Sequence, residues 1–221
     1  MRALYIVVEG QTEEIFINNV LRPFFTGKGH LDVRAILVPT SRGHKGGALN
    51  YYRFKYFVTN LLKEQQDVLV TSLIDFFRLP NNFPKYNEAE KIIDKLLRVK
   101  YLEAAIKKDL NFERFIPYIQ LHEFEGLLFS EYGAFNSFLE ITAESRNELA
   151  SLAADFPNPE LINDSPETAP SKRLLALFPG YQKTLHGPQI AEKIGIDIIR
   201  LKCPHFNEWI ETLLASMKET K

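Results

Sequence analysis

VLVTSLID, residues 68–75, is an uncharged run rich in β-branched residues that stops at an acid. Such a run favours a strand. No charged residue alternates along it, so the strand is buried on both faces, as strands of a parallel sheet are. Two further runs repeat the arrangement. ALYIVV, residues 3–8, is followed by Glu9 and Glu13, and FIPYIQL, residues 115–121, by Glu123 and Glu125. Three apolar strands that each end in acid predict one parallel sheet with an acidic cluster at its carboxyl edge. Open α/β sheets bind their ligands at that edge. A cluster of this kind either holds a hard divalent cation or moves protons.

Helical patterns fill the gaps between the runs. After Gly10, Thr12 is placed to cap a helix whose apolar stripe is Ile15, Phe16, Val20 and Leu21. Residues 33–38 read as a second strand, 48–65 as a strong helix, 87–108 as an amphipathic helix and 124–138 as helical. The order βαβαβαβα predicts a parallel sheet covered on both faces, with right-handed crossovers. Residues 139–221 offer no convincing strand. They read as helices at 145–154, 188–194 and 207–218, with a four-proline loop over 156–170. The expected organisation is an α/β domain over residues 1–138 and a helical subdomain over 139–221, packed near the functional edge of the sheet.

Composition excludes several classes. With 221 residues and 45% apolar content the chain can bury a sizeable core, to which 17 Phe contribute aromatic packing. A net charge of −1 gives no bulk attraction to nucleic acid or membrane, so any basic surface is local. Cys203 is the only cysteine, which rules out an intrachain disulfide and a cysteine zinc cage. No apolar run approaches the roughly 20 residues that span a bilayer. The first apolar run is too short for a signal peptide, so the cytoplasm is the expected location.

Within VVEGQTEEIF, residues 7–16, Glu9 stands at a strand tip and Glu13 in the first turn of the next helix. Carboxylates that close repel unless a cation or a shared proton resolves them. In LHEFEGLLF, residues 121–129, an extended backbone would turn Glu123 and Glu125 to the same side. If a helix begins there, they diverge and only one reaches the cluster. Oxygen donors of this sort favour Mg2+ or Mn2+ over zinc. The glycine-rich SRGHKGG, residues 41–47, offers backbone N–H groups with Arg42 and Lys45 for phosphate, without the ending of a nucleotide-binding P-loop. Arg173 and Lys183 are the basic residues of the tail best suited to meet phosphate. Lys183 is the choice for stabilising charge in a phosphodiester transition state.

The first acidic string resembles the opening motif of the Toprim domain, as in overcoming-lysogenization-defect nucleases, through Glu9, Gly10, Thr12 and Glu13. Asp75 matches the first acid of the later Asp-x-Asp pair, and Phe77 stands where the second belongs. The chain is closer to a Toprim-related group known as domain of unknown function 4276. The shared strings are residues 75–80, His122 to Glu125, Pro170 to Arg173 and Cys203 to Trp209. The resemblance implies a Toprim-like Rossmannoid parallel sheet of about four strands with flanking helices and a helical C-terminal lobe. It implies metal-dependent nuclease chemistry, with Glu9, Glu13 and Asp75 as the matching acids; Glu123 and Glu125, placed to replace the missing one, complete the candidate metal ligands, and DNA is expected ahead of RNA. It also implies a place in phage defence beside an ABC-type ATPase. Phe77 leaves open an alternative, a non-catalytic nucleic-acid-binding or adaptor subunit of such an ATPase.

Overall fold

Five parallel strands make up the sheet among the residues that the computed structural model describes, 3–30, 32–39, 49–77, 79–162 and 166–218. They are β1 (Ala3–Val8), β2 (Val33–Leu37), β3 (Val68–Asp75), β4 (Phe115–Ile116) and β5 (Ile119–Gln120). β1 and β3 lie side by side, with β2 beyond β1 and with β4 and β5 beyond β3. The chain therefore goes to one side from β1 and to the other side from β2. That reversal opens a crevice at the carboxyl ends of β1 and β3.

The expected continuous fourth strand is two short ones, and Pro117 is the reason. Proline has no N–H to give to the ladder. The Ser72 hydroxyl fills the gap, accepting from the Tyr118 N–H at 2.9 Å and donating to the Tyr118 carbonyl at 3.0 Å. Pairing to β3 then resumes at β5.

Both faces of the sheet are covered. Leu4, Ile6, Val8, Leu69 and Leu73 point into one core, and Tyr5, Val7, Val68, Val70 and Ile74 into the other. The first core is closed by α1 (Gln11–Phe16), α2 (Arg22–Gly27) and the π-helical turn Ile17–Leu21 that joins them, together with helices from late in the chain. Gly10, not Thr12, is the N-cap of α1, and Thr12 is buried in the first turn. The second core is closed by α3 (Tyr51–Glu64) and α5 (Lys95–Leu110). α3 starts three residues later than its pattern predicts because the Asn50 side chain caps it, accepting from Tyr52 N–H. The single helix expected over 87–108 is α4 (Tyr86–Ala89) and α5, divided where the Asp94 carboxylate accepts from Leu97 N–H and starts a new helix.

Residues 124–138 form two 3-10 helices, Phe124–Ser130 and Tyr132–Ser137, in place of one α-helix. Extended Glu131 separates them and accepts from the Gly133 N–H. α6 (Ala143–Asp155), α7 (Pro170–Leu177), α8 (Lys183–Ile194), α9 (Ile196–Lys202) and α10 (Pro204–Lys218) follow, and no described residue beyond 139 is in a strand. α8 begins five residues before Pro188, which sits inside it. No helix among the described residues is long and apolar enough to cross a membrane.

α10 is keyed to the sheet by polar contacts as well as by packing. The Trp209 indole N–H donates to Thr71 Oγ1 at 2.8 Å, and that hydroxyl donates to the Ile116 carbonyl at 2.6 Å. Tyr118 stacks against Trp209 with ring centres 4.3 Å apart and against His205 at 4.9 Å. Glu160, buried in the short 3-10 helix Pro159–Leu161, accepts from the His205 and Phe206 N–H groups at 2.9 and 3.0 Å. A carboxylate there serves two orphan donors and the positive end of the α10 dipole. Glu160→Ala leaves both donors buried and unpaired. It is expected to cost about 2–4 kcal/mol and to lower the melting temperature by roughly 5–15 °C. Glu160→Gln, which keeps one acceptor, is expected to lose about half as much. Urea unfolding of the three proteins measures this, and a loss below about 0.5 kcal/mol in the alanine variant rejects the capping role.

Candidate functional site

Strand register brings the first two acids together. Val8 of β1 pairs with Leu73 of β3, so Glu9 and Asp75 emerge side by side at the carboxyl edge. Asp75 shares the strand face of Leu69 and Leu73, which α1 and α8 cover. Its Oδ1 accepts from the Phe124 N–H at 3.0 Å. Burial holds its carboxyl well above the usual range. Lys183 opposes that shift, while Glu13, Glu9 and Glu125 add to it. Burial, and then the nearby charge of Glu13, push Glu9 up to about 7. A hydrogen bond from the Asp75 backbone and the charge of Lys183 pull the other way.

Glu13 reaches the same place by folding back over the turn. A Cβ at residue 10 would lie 2.9 Å from Glu13 Oε2. Gly10 has an extended backbone, φ −137°, so glycine here provides room, not a special torsion.

The pair after β5 diverges. His122 carries the chain out of the ladder with φ 67°, a left-handed torsion uncommon for a side-chain-bearing residue, and its carbonyl accepts from Phe77 N–H at 2.7 Å. The 3-10 helix then begins at Phe124. Glu123 turns to α7, where Oε2 accepts from Ser171 N–H and Oε1 from Ser171 Oγ, each at 3.0 Å. Both of its oxygens are thus engaged at a helix N-terminus. Glu125 is fully buried, with Oε2 3.1 Å from Lys183 Nζ and Oε1 without a hydrogen-bond partner among the described residues. Burial raises its carboxyl, and Lys183 counters this.

Lys183 is the first residue of α8. Burial alone would lower its pKa, but Asp75, Glu125 and Glu13 outweigh that and raise it. It therefore stays an ammonium at any ordinary pH. Among the described residues, one cation faces Glu9, Glu13, Asp75 and Glu125.

Sequence reasoning missed two neighbours. Ser171 anchors Glu123. Tyr181, buried two residues before Lys183, has its hydroxyl beside the carboxylates. A serine after proline is a common helix start, so Ser171 had a signal as a cap though none as a partner for Glu123. Tyr181 had none, because its position depends on how α7 and α8 meet. Arg173 donates from Nε to the Thr168 carbonyl at 2.9 Å and, with Lys172, lines a groove of about 1020 Å3 between α6 and α7. Among the described residues, the positive charge that bears on Glu9, Asp75 and Glu125 is that of Lys183. Arg42 and Lys45 lie outside the described residues.

Among the described residues no group of three His, Cys, Asp or Glu stands at metal-ligating spacing. The donor chemistry nevertheless suits a small hard cation. Among the described residues it is all carboxylate oxygen, one oxygen of Glu125 is buried without a hydrogen-bond partner, and a single ammonium offsets four acids. Holding an ion would require these side chains to close around it.

No curated protein matches the chain. Its fold is similar to that of the C-terminal region of the Burkholderia pseudomallei OLD protein, at 17% identity and a TM-score of 0.53, over 96% of this chain and 98% of that one. The C-terminal region of the Xanthomonas campestris pv. campestris OLD protein is 16% identical over 98% and 97% of the two chains, with a TM-score of 0.42. A family model matches residues 8–214, nearly the whole sequence, and the chain belongs to that family, described as a domain of unknown function, DUF4276.

Proposed function

We propose that the protein is a divalent-metal-dependent nuclease, using Mg2+ or Mn2+ to cleave nucleic-acid phosphodiesters, with DNA as the first substrate to test. The observation that carries this reading is the gathering of acids from three β–α junctions around one lysine at the sheet's switch point. Buried carboxylates left facing one another are costly, and a dication offsets that cost. Glu9, Asp75 and Glu125 would hold the ion, and Glu13 would hold a second one or orient a water. Glu123, both of whose oxygens are on Ser171, would fix α7 instead. Bound there, the metal would supply Lewis acidity and a water of lowered pKa. Lys183 would meet the negative charge that develops on the scissile phosphate. Arg42, Lys45 and Arg173 would engage the backbone, making binding salt-dependent and weakly sequence-selective.

The fold match is to C-terminal regions of longer proteins. It supports the further proposal that this chain works with an ATPase of the ABC type, in phage defence. One observation favours a second reading, that of a non-catalytic nucleic-acid-binding or adaptor subunit. Phe77 stands two residues beyond Asp75, where the resemblance calls for a second acid.

Plasmid DNA and a single-stranded RNA incubated with the protein and Mn2+ or Mg2+ separate the readings. Cleavage by wild type, with a loss of at least about 100-fold in Glu9→Gln, is the expected result. Binding without cleavage in both proteins supports the adaptor.

The raised carboxyls give two pH dependences. Metal binding needs ionised ligands, so Mn2+ affinity measured by calorimetry is expected to fall as pH drops below about 7, where Glu9 takes up its proton. Stability without metal runs the other way. Folded Glu9 keeps its proton up to about 7, whereas unfolded Glu9 loses it near 4.5. The folded state thus binds more protons between these values, and its stability falls as pH rises through that window. Asp75 acts with the same sign. Thermal melts of metal-free protein at pH 5 and pH 8 check this, with the higher melting temperature expected at pH 5 and Mn2+ recovering the loss at pH 8.

A further inference from the structure

Two buried polar atoms at this site lack hydrogen-bond partners among the described residues, Glu125 Oε1 and the Tyr181 hydroxyl. They are neighbours, since Glu125 bears on the Tyr181 phenol more than any other charged group does. Two orphan groups side by side, one an acceptor and the other a donor, are complementary. Leaving both unpaired wastes the desolvation of each. Tyr181 is also held in place from behind. A Cβ at residue 187, on α8, would lie 3.1 Å from the Tyr181 hydroxyl, 3.4 Å from a Phe124 ring carbon and 3.6 Å from Thr12 Cγ2. Glycine at 187 therefore lets α8 close on α1 with the phenol between them, and the same approach carries Lys183 to Glu125.

We infer that Tyr181 is a positioning residue of the acidic site: its hydroxyl donates to the free oxygen of Glu125 and fixes the face that carboxylate turns toward Asp75 and Glu9. With Lys183 on Oε2 and Tyr181 on Oε1, Glu125 is held from both ends. Its rotation is then removed before any ion arrives, and preorganised ligands lose less entropy on binding. The role in holding a cation rests on the reading of the site proposed above, whereas the Tyr181–Glu125 contact does not.

The test uses full-length, chelator-treated protein labelled with [13Cδ]glutamate, with the Glu125 carboxyl resonance assigned by its disappearance in Glu125→Gln. Tyr181→Phe removes one hydroxyl and no packing. It is expected to move the Glu125 resonance, to lower the melting temperature, and to weaken Mn2+ binding by about tenfold in calorimetry, the scale of one hydrogen bond to a charged group. Gly187→Ala keeps the hydroxyl but displaces the phenol, and it is expected to move the same resonance. A Glu125 resonance unchanged in Tyr181→Phe overturns the inference whatever the metal data show. A rise in melting temperature with it would mean the hydroxyl is only a buried cost. If wild type takes up no Mn2+ while the resonance moves, the cation reading of the site fails and the positioning of Glu125 by Tyr181 stands.

Discussion

The fold is organised around a repulsion. Glu9, Glu13, Asp75 and Glu125 are brought to one edge of the sheet and, among the described residues, faced with one ammonium. Each acid, taken alone, would stay hydrated at a loop. Here the parallel register of β1 and β3 fixes Glu9 beside Asp75, and helices covering that face partly shield them from water. Low local dielectric then strengthens both the repulsion among the acids and the attraction to Lys183. A raised Glu9, a raised Asp75 and a raised Lys183 are three aspects of that one electrostatic balance.

The helices late in the chain complete the site that the sheet begins. α7 receives Glu123, α8 brings Lys183, and the segment between them carries Tyr181. α10 holds this group against the sheet through Glu160, Tyr118 and Trp209. The chain of cause runs from a cap at α10, through the first core, to the placement of α8. Local order at the acids therefore depends on contacts made far from them, as expected where preorganisation rests on a supporting shell.

The parts legible in the sequence are those fixed by short-range rules. Val68–Asp75 and Ala3–Val8 read directly as strands, and their terminal acids meet because adjacent parallel strands end at the same edge. Boundaries slipped where one side chain competed with a periodic pattern. Asp94 started a new helix inside an amphipathic run, and Pro117 broke a strand that hydrophobicity alone would continue. Whether Glu123 or Glu125 enters the cluster was undecidable from spacing. The answer depends on a left-handed His122 and on a serine 48 residues away. Tyr181 and Gly187 had no readable pattern, since their meaning lies in how closely two helices approach.

The two proposed roles differ in what Phe77 means. A decayed site needs no cation, and burial then works to neutralise or disperse its acids. The β3 acid at 75 is half-buried, with Phe124 N–H donating to it. Beyond it the ladder continues with Phe77 N–H on the His122 carbonyl, so position 77 serves the turn that aims the next segment. That segment ends with Glu125 in the cluster and with one oxygen unpaired. A carboxylate from beyond β5 thus reaches the edge where β3 supplies only Asp75. Among the described residues four acids meet one lysine, an arrangement that a further positive charge stabilises, and this excess of negative charge weighs for the catalytic reading over the adaptor.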